Sequence, residues 1–294
     1  MKALIAPMIV LLLCFCAFGQ APVDQLFAAE RAFAEAAAVN EVRAAFLSVL
    51  ADDAVIFRPE AVNGREYWSS REAASPARLI RRPSFADISS NGMLGYTTGA
   101  VEFHPKGGPD AQSKYGQYVT IWEKKIDGKF RVSLDIGISH EHLPISEARP
   151  VFPRRPGKDP NKRGWSAADP SMNFLKMSMT SQGVSGAYKK FAAPDVVLLF
   201  EGFPPITGKK RVVSATKQYQ SISFPTKTAQ FQAADMAYTW NPCEFTVSNE
   251  GKEKGNCLHI WKLRSKKWYI VMGVFSPFPN VNRPELKTAS GKSS

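Results

Sequence analysis

The chain has 294 residues, a formal net charge of +12, 44% hydrophobic and 22% charged residues. That composition excludes a disordered chain, the length suggests two domains, and no run of about 20 apolar residues is present to cross a bilayer as a helix. Four cysteines are too few for a disulfide-dense scaffold, and the lack of a P-loop, a GxGxxG turn or a CxxC pair sets aside the easily recognised nucleotide, dinucleotide and zinc classes.

Lys2 and the uncharged apolar run over 3–18, interrupted by Pro7, have the form of a signal peptide over 1–19. Ala17 and Gly19 place small residues where a signal peptidase reads, so cleavage is expected after Gly19 and the mature protein is expected to be exported, periplasmic or secreted. A lipoprotein anchor would need a small residue before its cysteine, whereas Leu13 precedes Cys14 and Phe15 precedes Cys16.

Residues 20–143 form the predicted first domain, with 14 basic and 16 acidic residues. A helix is predicted over 24–38, where Leu26, Phe27, Ala34 and Ala37 recur at helical spacing. Asn40 is the expected N-cap of a second helix running to about Leu50. A short apolar strand follows over 54–57, then an irregular helical region over 65–80 broken by Pro76. Three longer strands are predicted over 93–103, 115–124 and 130–139, the last two joined by a turn at 124–129.

Prolines 144, 150, 153, 156 and 160, with six basic and two acidic residues, mark 144–164 as an extended linker. The second predicted domain, 165–280, has 14 basic and seven acidic residues, and a polar tail covers 281–294. Asp169-Pro170 predicts an N-cap followed by proline at the first helical position. Cys243 and Cys257 flank the turn Asn249-Glu250-Gly251; a hairpin centred on 250 would set them directly opposite one another and predicts a disulfide, the alternative being two buried thiols. The excess of positive charge lies in the linker and second half. Without an aromatic-interleaved basic stripe or a recognition helix it reads as a solvated surface, and no nucleic-acid partner is expected.

The halves repeat one another. Gly95-Tyr96-Thr97 with Glu102-Phe103 returns as Ala237-Tyr238-Thr239 with Glu244-Phe245 at an offset of 142. Gly116, Ile121 and Trp122 return as Gly255, Ile260 and Trp261 at an offset of 139. An internal duplication accounts for this. In each half helices precede a run of antiparallel strands, which is an α+β arrangement.

The combination Leu50-Ala51-Asp52-Asp53-Ala54-Val55, Gly95-Tyr96-Thr97-Thr98-Gly99, Tyr115-Gly116-Gln117-Tyr118-Val119-Thr120-Ile121-Trp122 and Leu134-Asp135-Ile136-Gly137-Ile138-Ser139-His140 resembles the SnoaL-like, nuclear-transport-factor-two-like superfamily, in a bacterial branch of unassigned function. The resemblance is specific over 22–143 and weaker over 165–280. It implies two tandem cone-shaped domains, each a curved antiparallel sheet wrapped against N-terminal helices, with pairing through the outer sheet face as a homodimer or an intramolecular pseudo-dimer. It does not imply one activity.

Catalytic members of the superfamily use a carboxylate base in an apolar pocket with a tyrosine donor. The candidates are Asp135, Tyr96 and Tyr118, and the expected ligand pocket takes Tyr96, Tyr118, Trp122, Glu102 and His140. Alternation of Phe130, Val132, Leu134, Ile136 and Ile138 puts Asp135 on the opposite face, which reads as outer or dimer-forming. Aligning Phe130 with Trp268 sets Asp135 against Gly273, so any chemistry is expected in the first half alone. His104, His140, Glu141 and His142 have no metal-ligand spacing, and no metal or cofactor is expected. The sequence reading is therefore a binder of a small apolar molecule, with a cofactor-independent isomerase, cyclase or dehydratase and a structural module as the alternatives.

Overall fold

The computed structural model describes residues 21–39, 41–72, 76–108, 112–142, 164–224, 229–247 and 251–278. The expected signal segment, the linker apart from Gly164, the polar tail, Asn40 and Asn249-Glu250 lie outside the described residues.

The first half opens with α1 (Pro22–Val39) and α2 (Val42–Val49). Along α1 Leu26, Glu30, Phe33 and Ala37 form a buried stripe at helical spacing. The chain then passes directly into β1 (Leu50–Phe57), followed by β2 (Ala61–Asn63) and the short α3 (Gly64–Ser69). Asn63 caps α3, its side chain accepting from the Glu66 N–H at 2.9 Å. Next come β3 (Arg78–Ile88), β4 (Leu94–His104), β5 (Lys114–Lys124) and β6 (Phe130–His140). The sheet order is β2-β1-β6-β5-β4-β3, with β1 parallel to β6 and the other pairs antiparallel. The helical region expected over 65–80 is corrected here: helix ends at Ser69, and an edge strand begins at Arg78. Pro83 is tolerated because β3 lies at the sheet edge and its register shifts between Pro83 and Phe85.

The second half repeats the plan with α4 (Ala168–Ser178), α5 (Gly183–Phe191), β7 (Ala192–Phe200), β8 (Ile206–Thr207), α6 (Lys209–Ala215), β9 (Tyr219–Ser223), β10 (Ala229–Ala233), β11 (Met236–Val247), β12 (Gly251–Arg264) and β13 (Lys267–Pro277). Its sheet runs β10-β11-β12-β13-β7-β8, with β9 also paired to β11. α4 starts one residue before the expected cap: Ala167 is the N-cap, and Asp169 and Pro170 fall inside the first turn. The fold is thus α+β, two tandem cones. Both halves share a hydrogen bond across the repeat, Trp122 Nε1 to Thr97 Oγ1 at 3.0 Å and Trp261 Nε1 to Thr239 Oγ1 at 3.1 Å.

Each half has an apolar interior, and a further apolar cluster joins the outer faces of the two sheets. In it Val119, Ile121, Leu134 and Ile136 of the first sheet meet Leu258, Ile260, Met272 and Val274 of the second. At its margin Lys262 Nζ lies 3.4 Å from carboxylate oxygens of both Asp87 and Asp235, and it donates to the Ile88 carbonyl at 2.7 Å. The two sheets therefore share an apolar layer within one chain. No helix among the described residues is long and apolar enough to cross a membrane.

Cys243 and Cys257 are bonded, with Cα atoms 6.2 Å apart. They are not directly opposite, as the hairpin centred on 250 would require. Val247 pairs with Gly251, so Cys243 faces Gly255 and Cys257 faces Asn241, and the bridge runs diagonally between pairs two residues apart.

Candidate functional site

A β-bulge decides which side chains enter the first cone. Ile121 pairs with Leu134 but Trp122 pairs with Val132, which leaves Ser133 as an extra residue in β6. The extra residue inverts the alternation. Phe130 and Val132 face the interior with Trp122, whereas Leu134, Ile136 and Ile138 face the second sheet. Asp135 consequently lies on the inner face, and the outward placement read from unbroken alternation is corrected. Val271 plays the same part in β13, between the pairs Ile260–Met272 and Trp261–Ile270.

Asp135 meets Arg81 from β3. Arg81 Nε donates to Glu30 Oε1 at 3.0 Å, Nη2 donates to Thr120 Oγ1 at 2.6 Å, and Nη1 and Nη2 each lie 3.3 Å from Asp135 Oδ1. Thr120 Oγ1 in turn donates to Asp135 Oδ1. The second oxygen of Glu30 accepts from Thr97 Oγ1 at 2.6 Å, and Thr97 accepts from the Trp122 indole. Tyr118 covers one face of the guanidinium at 3.6 Å from ring centroid to Cζ, and Phe33 lies at 4.6 Å. Burial opposes the charge of Arg81, but Glu30 and Asp135 outweigh it and hold the pKa above the usual arginine value. Burial pushes the Tyr118 hydroxyl well above its ordinary pKa, and Glu30 adds to this. The Arg81 side chain is 2% exposed, Glu30 0% and Asp135 14%, so the aspartate is the outermost member of the cluster.

Of the residues expected in the pocket, Tyr118 and Trp122 face this interior and three do not. Tyr96 is buried between the two sheets, its ring 5.6 Å from that of Phe85. Glu102 faces away and accepts from Arg82 at 3.0 and 3.2 Å, with His104 Nε2 at 3.4 Å. His140 ends β6, and its Nδ1 donates to the Glu141 carbonyl at 2.6 Å. His104 pairs with Ser113 and His142 packs on Tyr115, so the histidines serve separate places. Glu30 and Arg81 were not anticipated. Glu30 was legible, because a carboxylate in the Leu26, Phe33, Ala37 stripe is out of place unless it has a buried partner. Arg81 follows directly on the segment read as helical, in a stretch assigned to no element.

A cavity of about 260 Å³ is walled by Phe57, Leu79, Val101, Phe103 and Tyr115 of the first half, with Arg58, Lys114 and, from the second half, Ser276 also lining it. That is just below the roughly 300 to 1,000 Å³ usual for small-molecule sites.

The second interior keeps the tryptophan–threonine bond and, among the described residues, lacks the ionic cluster. His259 stands at the Thr120 position and Gly273 at the Asp135 position, paired with one another across β12 and β13 as Thr120 and Asp135 are across β5 and β6. On α4 the buried Ser171, Phe174 and Ser178 repeat the spacing of Glu30, Phe33 and Ala37. A Cβ at Gly273 would meet the Tyr188 hydroxyl at 2.7 Å, so that tyrosine occupies the space an aspartate would need. Tyr188 and His259 Nε2 hydrogen-bond at 2.9 Å, and burial drives the His259 pKa down to about 3.

No family model matches the chain, and no curated protein matches it. Among solved structures it is similar to a candidate ketosteroid isomerase from Parabacteroides distasonis, 15% identical, covering 37% of this chain and 85% of that one with a TM-score of 0.32. It is also similar to an NTF2-like protein from Cytophaga hutchinsonii, 13% identical over 40% of this chain and 99% of that one, TM-score 0.33. A third is a protein of unknown function with a cystatin-like fold from Nostoc punctiforme, 10% identical over 39% and 90%, TM-score 0.32.

Proposed function

We propose that the protein is an exported binding protein whose first cone takes a small, largely apolar molecule at its opening, and whose second cone is a built-in structural partner. The observation that carries this reading is the contrast between the cluster and the cavity. Asp135, the candidate base, spends Oδ1 on Arg81 and Thr120 and does not line the cavity, whose walls are Phe57, Leu79, Val101 and Phe103 with Arg58 and Lys114. A pocket of that make-up binds by apolar burial, at roughly 25 cal/mol for each Å² removed from water. The second interior has no such cluster and is filled by Tyr188, His259 and their aromatic neighbours, which supports a scaffolding role for it.

The test is native mass spectrometry of the mature protein purified from its own host, compared with Asp135→Asn and Val101→Trp variants. A co-purified compound retained by the wild type and Asp135→Asn, and lost on filling the cavity with Val101→Trp, is the expected result. A compound trapped only by Asp135→Asn would instead make the chain a cofactor-independent isomerase, cyclase or dehydratase. Empty proteins throughout would make it a structural module.

A further inference from the structure

The second half carries a groove of its own, remote in sequence from the opening of the first cone. About 550 Å³ in volume, it is lined by Trp165, Trp268 and Tyr269 together with Lys190, Lys266 and Lys267. Trp268 is 6% exposed, and its indole N–H is buried without a hydrogen-bond partner. A buried donor left unpaired is uncommon in a folded protein and is satisfied when an acceptor enters beside it. Lys266 ends the two-residue connection between β12 and β13 and Lys267 opens β13; in the connection Ser265 and Lys266 both have positive φ, 48° and 65°. Glycine and asparagine are the usual occupants of such a turn; here it presents consecutive exposed lysines beside Lys190 from the end of α5. One carboxylate, Asp169, also lines the groove, so its charge remains positive. The corresponding turn of the first half differs: Asp127 there accepts from the Lys129 N–H at 3.0 Å and pairs with Arg131 at 3.4 Å, supplying its own anion. The neighbouring linker has six basic and two acidic residues, so its charge does not complement the groove.

We propose that this groove binds a small anion with a flat apolar body, an aromatic carboxylate or sulfonate. The ring packs on the aromatic side chains, and the anionic oxygens accept from the Trp268 N–H and the lysines. Both contacts follow from the residues present: aromatic faces and lysine stems bury flat apolar groups, and ammonium donors strengthen hydrogen bonds to an anion.

Calorimetric titration of the mature chain with naphthalenesulfonate, at low and high salt and against neutral methoxynaphthalene, tests the assignment. Saturable binding that weakens with salt is expected. Lys266→Gln combined with Lys267→Gln, both at exposed positions, should lower the affinity at least tenfold and flatten the salt dependence. Trp268→Phe keeps an aromatic ring, although a smaller one, removes the donor and should lower affinity severalfold. Val101→Trp, which fills the first cone, should leave the titration unchanged. Equal affinity in the double lysine variant and the wild type would overturn the proposal, as would loss of binding in Val101→Trp alone or no saturation up to about 1 mM.

Discussion

A guanidinium withdrawn from water is tolerated at position 81 because two carboxylates and a hydroxyl meet its N–H groups while two rings cover its faces. The arrangement is interdependent: removing the cation leaves Glu30 facing a dry interior with its charge uncompensated. Arg81→Met is therefore expected to cost about 3–5 kcal/mol, the range for breaking a buried ion pair from one side. Adding Glu30→Gln and Asp135→Asn should recover part of that loss, and urea unfolding of the series measures it. In the other half His259 offers a pH handle. Its folded pKa of about 3 lies below the ordinary 6.5 because burial disfavours the imidazolium. The folded state thus resists protonation, so the contribution of His259 is complete above pH 6.5 and is lost as pH falls toward 3. Between those limits stability should fall by up to about 1.4 kcal/mol per pH unit relative to a His259→Phe, Tyr188→Phe protein. Equal acid sensitivity in the two proteins, followed by denaturant titration, would sink this account.

Elements differed in how plainly the sequence announced them. β4, β5 and β6 stood out because apolar and β-branched residues run for ten or so positions between turn residues, and α1 and α2 because alanine-rich segments carry apolar residues at helical spacing. β3 was concealed: Arg81, Arg82 and Pro83 interrupt its pattern, and only pairing with β4 makes the segment extended. The bulge at Ser133 was equally concealed, since an inserted residue leaves the apolar alternation intact while exchanging its faces. That one residue explains why Asp135 read as outward-facing. The cysteine pair was recognised although its register was not, because a diagonal pair two residues apart still falls within disulfide reach. Tyr118 and Trp122 share the inner strand face with Thr120, whereas Tyr96 and Glu102 lie on the face of β4 that points away from the interior.

At the scale of the molecule, the outer faces of the two sheets are apolar and cover one another. Ile136 and Ile260, 2% and 1% exposed, lie within that layer. Placing an aspartate at both positions should part the halves while leaving each sheet formed. Small-angle scattering is expected to show a larger radius of gyration with little change in far-ultraviolet circular dichroism; an unchanged radius would mean that other contacts, such as Lys262 with Asp87 and Asp235, hold the halves together unaided.

The continuity of the chain through that paired arrangement has a further consequence. Two separate cones meeting through such faces would come apart as they are diluted, and identical copies would be obliged to change together. A tether converts their encounter into an intramolecular event at an effective concentration that dilution does not alter. It also frees each copy to vary alone: one has Glu30, Arg81 and Asp135, while the other has Ser171 and Gly273 at the positions matching the two carboxylates. Asymmetry of that kind is closed to a homodimer, in which every substitution appears twice.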